Sequence, residues 1–218
     1  MSRASTDSST KGAPRSAARR AFELAGVIPL LAFVILHMVD AHRGGADERG
    51  QSSLALEVAL VWLPLGFHVA YALRDALRRS GSRPPRPPRS RAQKVGAAAA
   101  WLSLGFVVLH GWHIRVPLLR GMVTREATQL ELVRALSSTI GFGVPLWALA
   151  YTLGVAAISL HVSLGTEAFL RAEGMLPAAR STGAVRAVVY GIGLLIFAVG
   201  FDAIALLSTG THFWLAAP

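Results

Sequence analysis

Five stretches of this chain are apolar for long enough to cross a lipid bilayer, and that pattern constrains the fold more than any motif. They run over about 22–42, 54–77, 94–119, 137–168 and 184–208, and a membrane-spanning helix needs roughly 20 such residues. Each is apolar nearly all round, which favours a span over a soluble amphipathic helix. With 53% hydrophobic and only 16% charged residues, the chain is too greasy for an ordinary soluble domain. The predicted fold is all-α: an integral membrane bundle of five transmembrane helices. The first stretch ends in HMVDAHRGG and not in a small-residue cleavage site, so it reads as a retained span.

The charges fix an orientation. The chain carries 22 Lys+Arg against 12 Asp+Glu, but the basic residues lie between apolar blocks and form no basic face of a nucleic-acid-binding domain. Five stand in the N-terminal tail, eight between Arg74 and Lys94, and three more are Arg171, Arg180 and Arg186. The other side holds six: Arg43, Arg49, Arg115, Arg120, Arg125 and Arg134. The positive-inside rule then puts the N-terminus in the cytoplasm and the C-terminus outside a multi-pass protein of the cell inner (plasma) membrane. Residues 1–20 read as a disordered basic cytoplasmic tail, 21–210 as the membrane domain and 211–218 as a short outer tail. SRPPRPPRS is expected to be extended, since successive prolines forbid helix, and its arginines suit anionic lipid or a cytoplasmic partner. No internal repeat is present.

The absence of cysteine excludes disulfides, thiolate-bound zinc, iron–sulfur ligation and covalent haem attachment from this chain. Any metal must rest mainly on histidine or carboxylate. Five of the seven histidines fall inside the apolar stretches, clear of their ends: His37, His68, His110, His113 and His161. One such residue is commonly a polar bridge between helices. At least one in each of four consecutive spans points to a site, because ionisable groups in hydrocarbon are costly.

Depth sorts them. At 1.5 Å per residue, His37 stands roughly 22 Å and His110 roughly 24 Å above the cytoplasmic ends of spans one and three. His68 and His161 stand only about 9 Å and 10–15 Å above the cytoplasmic ends of spans two and four. The result is an outer pair, His37 and His110, and an inner pair, His68 and His161. Two imidazoles facing across a bundle are what a bis-histidine haem b requires, so two haem b groups are expected. Room for them is suggested by Gly154 and Gly165 about His161, Gly66 and Ala72 about His68, and Gly105 before His110. His113, three residues past His110, reads as a polar neighbour of the ligand. Arg115 and Arg43 are candidates to pair with haem propionates, although Arg115 can equally snorkel to headgroups. A zinc or manganese carrier would want three or four clustered ligands, and the pairing at two heights argues against one.

ELAGVIPLLAFVILHMV, LEVALVWLPLGFHVAYAL, GFVVLHGWHIRV and ISLH, followed by a histidine-free fifth stretch, resemble the single-subunit, five-helix, dihaem cytochrome b membrane anchor of succinate dehydrogenase/fumarate reductase, the menaquinone-linked class. The likeness covers about 20–208. It implies His37 and His110 as ligands of the distal haem, and His68 and His161 as ligands of the proximal one. It also implies flavoprotein and iron–sulfur subunits as partners on the cytoplasmic side. Succinate/fumarate chemistry would lie in the flavoprotein, since no Gly-rich dinucleotide fingerprint occurs here. Electrons would pass between the iron–sulfur subunit and menaquinone or another quinone. The basic tail and SRPPRPPRS depart from the family pattern.

Glu57, fitting the family's helix-two pattern, is a candidate at a quinone site, and a plain interfacial carboxylate is the alternative. Asp40 and His42 could relay protons, and Asp202 is an intramembrane carboxylate that marks function or caps the outer rim. Two other readings share these histidines: a cytochrome b anchor of a different dehydrogenase, and a histidine-based ion or proton transporter.

Overall fold

The computed structural model describes residues 17–42, 58–80, 90–121, 124–176 and 182–213. Among them there are helices and no strands. Helix α1 spans Ala17–His42. A π-helical turn, Val58–Trp62, runs into α2, Leu63–Ser80. Helix α3, Arg91–His110, continues through a second π-helical turn, Gly111–Arg115, and one α-turn, Val116–Leu119. Helix α4 is Arg125–Ser137, α5 Leu146–Ala172 and α6 Thr182–Thr209.

Local chemistry sets these limits. Ser90 opens α3 with a reciprocal cap: its hydroxyl accepts from the Gln93 N–H at 3.3 Å, and the Gln93 side chain accepts from the Ser90 N–H at 3.0 Å. Thr124 opens α4 by accepting from the Ala127 N–H at 3.2 Å. Helix α1 runs on through Pro29, as membrane helices tolerate. The fourth apolar stretch does not become helix at 137 as expected. Its first residue, Ser137, ends α4, STIGFGVP forms a loop, and α5 starts only after Pro145, whose ring and missing N–H suit an N-terminus. The preceding segment forms the separate helix α4, which the apolar pattern did not announce. Helix α1 begins at Ala17, four residues inside the tail expected to be disordered; residues 1–16, SRPPRPPR and 214–218 lie outside the described residues.

Among the described residues, four helices are long and apolar enough to cross a membrane: Ala17–His37, Arg91–Arg115, Leu146–Ala172 and Gly183–Thr209. Helix α2 falls short by this measure. Its apolar first half is diluted by Arg74, Asp75, Arg78 and Arg79 in its last turns. Large side chains such as Ile28, Leu102, Leu153, Leu194 and Leu195 lie more than half exposed, a surface that water does not tolerate over such an extent and that suits a lipid bilayer.

Helices α5 and α6 form the best-packed seam, with α3 beside α5, α1 beside α6 and α5, and α4 against both α5 and α6. Leu136, Tyr151, Val155, Ile196 and Ile204 make its core. The seam is tight at Gly193, where the Ser163 hydroxyl occupies the space a Cβ would need. Ser103, Ser159 and Ser163 return their hydroxyls to carbonyls one turn back at 2.7–2.8 Å, so these buried hydroxyls are satisfied without water. Among the helices of the described residues, α2 packs closely on α1 alone.

Candidate functional site

Four histidines on four helices meet in two pairs. His37 of α1 faces His110 of α3 with ring centroids 5.7 Å apart and planes crossed by 71°. His68 of α2 faces His161 of α5 at 6.1 Å and 73°. Among the described residues, neither α1 with α3 nor α2 with α5 is in close backbone packing, and in each case two imidazoles reach towards each other. The two pairs sit at different ends. His68 lies against Phe22, fifteen residues before His37 on the same helix, a rise of roughly 22 Å.

Each ring is held by its surroundings. At the first-turn end of α1, His68 stacks on Phe22 at 4.4 Å, and Phe22 stacks in turn on Tyr71 at 4.7 Å. The His68 Nδ1 lies 3.3 Å from the Phe22 carbonyl oxygen. A carbonyl only accepts, so Nδ1 carries the proton and Nε2 keeps its lone pair. That is the tautomer a metal-binding imidazole adopts when its second nitrogen is tied to the backbone. Gly26 admits the ring: a Cβ there would come within 2.5 Å of His68.

The other end relies on packing. His37 stacks on Phe33 one turn earlier at 5.3 Å, and His110 on Phe106 at 5.6 Å. Tyr151 of α5 sets its ring edgewise to both Phe106 and His110, at 5.2 and 5.6 Å. Phe106 fills the space beside Gly154, where any Cβ would overlap its ring. Gly154 therefore makes room for a phenylalanine here, and not the open cofactor space its spacing from His161 suggested. Beside Gly66, Gly105 and Gly165, by contrast, an added Cβ would meet nothing within 4 Å.

The π-helical turn after His110 explains His113. A wider turn rotates the following residues away from the direction that α-helical spacing would give. His113 consequently faces α5, 5.2 Å from the Trp147 ring and with Nδ1 3.4 Å from the Tyr151 hydroxyl. Arg115, at the end of that turn, lines an open apolar cavity of ≈ 610 Å³ between α2 and α3, with Trp62, Gly66, Gly111 and Trp112. Asp40 and His42 fall in the last turns of α1. Arg43 and Glu57 lie outside the described residues.

Among the described residues, two carboxylates are buried in the apolar bundle, Glu167 and Asp202. Asp202 is fully buried, accepting from the Phe213 N–H at 2.7 Å and lying 2.7 Å from His212 Nδ1. It thus ties the residues after α6 back onto that helix, in keeping with a rim cap. Glu167 was not foreseen. It accepts from Arg186 at 2.7 Å, from the Tyr190 hydroxyl at 2.9 Å and from Arg171, locking α5 to α6 at the His161 end. The signal lay in a lone glutamate inside an apolar run with an arginine four residues on.

The histidine pairs fit a bis-imidazole iron on three observations. Metal–imidazole bonds of about 2.0–2.1 Å, one on each side of an iron, put ring centroids roughly 6 Å apart. Planes crossed by about 70° are compatible, because each ring can rotate about its metal–nitrogen bond. The His110 Nδ1 is buried without a hydrogen-bond partner, a state that a structure normally avoids. No group of three or more histidine, aspartate or glutamate side chains able to hold a bare metal ion occurs among the described residues. The chain matches no family model, no curated protein and no solved structure.

Proposed function

We propose that this chain is a dihaem cytochrome b: the membrane-anchor subunit of a succinate:quinone oxidoreductase, carrying electrons between an iron–sulfur subunit and menaquinone or another quinone. The observation that carries the reading is the double pairing of histidines at two heights, each pair reaching between helices that, among the described residues, are not in close backbone packing. His68 and His161 would hold one haem b, and His37 and His110 the other. Bound haem supplies an iron that gains and loses one electron at a time. The protein's own work is to fix the imidazoles and exclude water. The Phe22 carbonyl sets the His68 tautomer, Phe33 and Phe106 stack on the rings at the other end, and Arg115 lines the apolar cavity, where an anionic propionate would find a counter-charge.

The five-span topology belongs to this reading, with α2 as the fifth crossing. So do the cell inner membrane, the cytoplasmic N-terminus, and flavoprotein and iron–sulfur partners docked at the His68/His161 end. An ion carrier is disfavoured by the two-ligand grouping of the histidines. Purification of the native assembly tests the proposal. A b-type reduced-minus-oxidised spectrum with two haems per chain is expected, reducible by succinate in the presence of copurifying flavoprotein and iron–sulfur subunits. A colourless chain would overturn the cofactor reading. A haem-loaded chain reduced by a different dehydrogenase would overturn only the assignment of the partner.

A further inference from the structure

The loop before α5 carries a feature that neither the histidines nor the bundle core explains. Phe142 sits at its tip with φ +67°, a left-handed conformation that bulky residues rarely adopt, and its side chain is fully exposed. The loop is nonetheless closed at its base. The Ile140 N–H donates to the Val144 carbonyl at 3.0 Å, and the Gly143 N–H to the Ile140 carbonyl at 3.1 Å. The flanking Ile140, Val144, Leu146 and Trp147 are all exposed too.

We propose that this loop is a membrane-surface anchor, with Phe142 seated at the headgroup–acyl boundary of the leaflet next to the His37/His110 end. Three observations favour lipid as the occupant. Exposed apolar side chains follow Phe142 onto α5, at Leu146, Leu149 and Leu153 in helical spacing, and α5 is long and apolar enough to be a span. Residues 135–166 contain no Asp, Glu, Lys or Arg, so no fixed charge holds the loop out in water. A phenylalanine four residues before the start of a span also stands near the headgroup–acyl boundary, where such rings bury in bilayers. The closed base satisfies two of the loop's backbone donors, which suits a segment that leaves bulk water. The inference rests on membrane residence alone and is independent of the haem reading.

The chain has no cysteine, so Phe142→Cys provides one labelling site for an environment-sensitive fluorophore on the full chain in phosphatidylcholine vesicles, with Glu131→Cys on exposed α4 as the aqueous reference. Nitroxide carried near the lipid headgroup should quench the label at 142 several-fold more strongly than the label at 131, and iodide should do the reverse. Equal iodide quenching at both positions would overturn the proposal. A label at 142 shielded from both quenchers would overturn it as well, because a protein surface would then cover the loop. Ile140→Cys repeats the measurement should substitution of Phe142 prevent folding.

Discussion

The two histidine pairs face each other across similar gaps, 5.7 and 6.1 Å, but their rings are oriented by different means. At the His68 end a directional contact to the Phe22 carbonyl fixes both tautomer and rotation. At the His110 end no hydrogen bond reaches Nδ1, and Phe106 with Tyr151 wedges the ring in place. A backbone hydrogen bond specifies which nitrogen is available. Packing specifies where the ring stands and leaves the choice of nitrogen open. The first end should therefore tolerate loss of an aromatic neighbour better than the second.

Removing a ligand should have the largest effect and test whether the ends are separate sites. His110→Ala and His161→Ala are each expected to halve the haem content from two to one per chain by alkaline pyridine spectroscopy. Retention of both haems in the double variant would end the proposal. Next come the two glycines. A methyl at Gly154 collides with Phe106, and one at Gly26 with His68; overpacking of this kind costs about 1–3 kcal/mol. Gly154→Ala should disturb the His37/His110 haem signal and Gly26→Ala the other, and identical spectra from both would erase the distinction.

The aromatic contacts should matter less, at about 0.5–1.5 kcal/mol each. Phe106→Leu is expected to lower the thermal midpoint more than Phe22→Leu, since Phe106 also meets Tyr151 and fills the Gly154 gap. The reverse order would show that the hydrogen-bonded end is the fragile one. Tyr151→Phe should be smallest. It removes one long contact to His113, worth below about 1 kcal/mol, and haem content should stay at two. Loss of a haem would instead make His113 part of the ligand shell.

Much of this was legible in the sequence because hydrocarbon makes both apolar length and polar exceptions conspicuous. Helical rise alone sorts His37 with His110 and His68 with His161, and these are the rings that meet. The start of α5 was hidden because residues 135–166 are uncharged throughout, so composition runs past the break that Pro145 and the Phe142 turn impose. Helix α4 was hidden for the opposite reason. Its REATQLELVRALS mixes charge with leucine, and Leu136 becomes fully buried only because α5 and α6 supply the wall it packs on. Phe106 in the Gly154 gap is likewise a meeting of two helices that spacing along either one cannot reveal.

Among the described residues, helix α2 has close backbone packing along one seam, to α1, and a pair of imidazole rings brings it to α5. A rod held on one side swings like a door on its hinge, and its opening takes less free energy than parting the α5–α6 seam. Among the helices, amide exchange in the chain without cofactor should therefore run fastest through Leu63–Ser80, and the proposed haem between His68 and His161 would be the latch that shuts it.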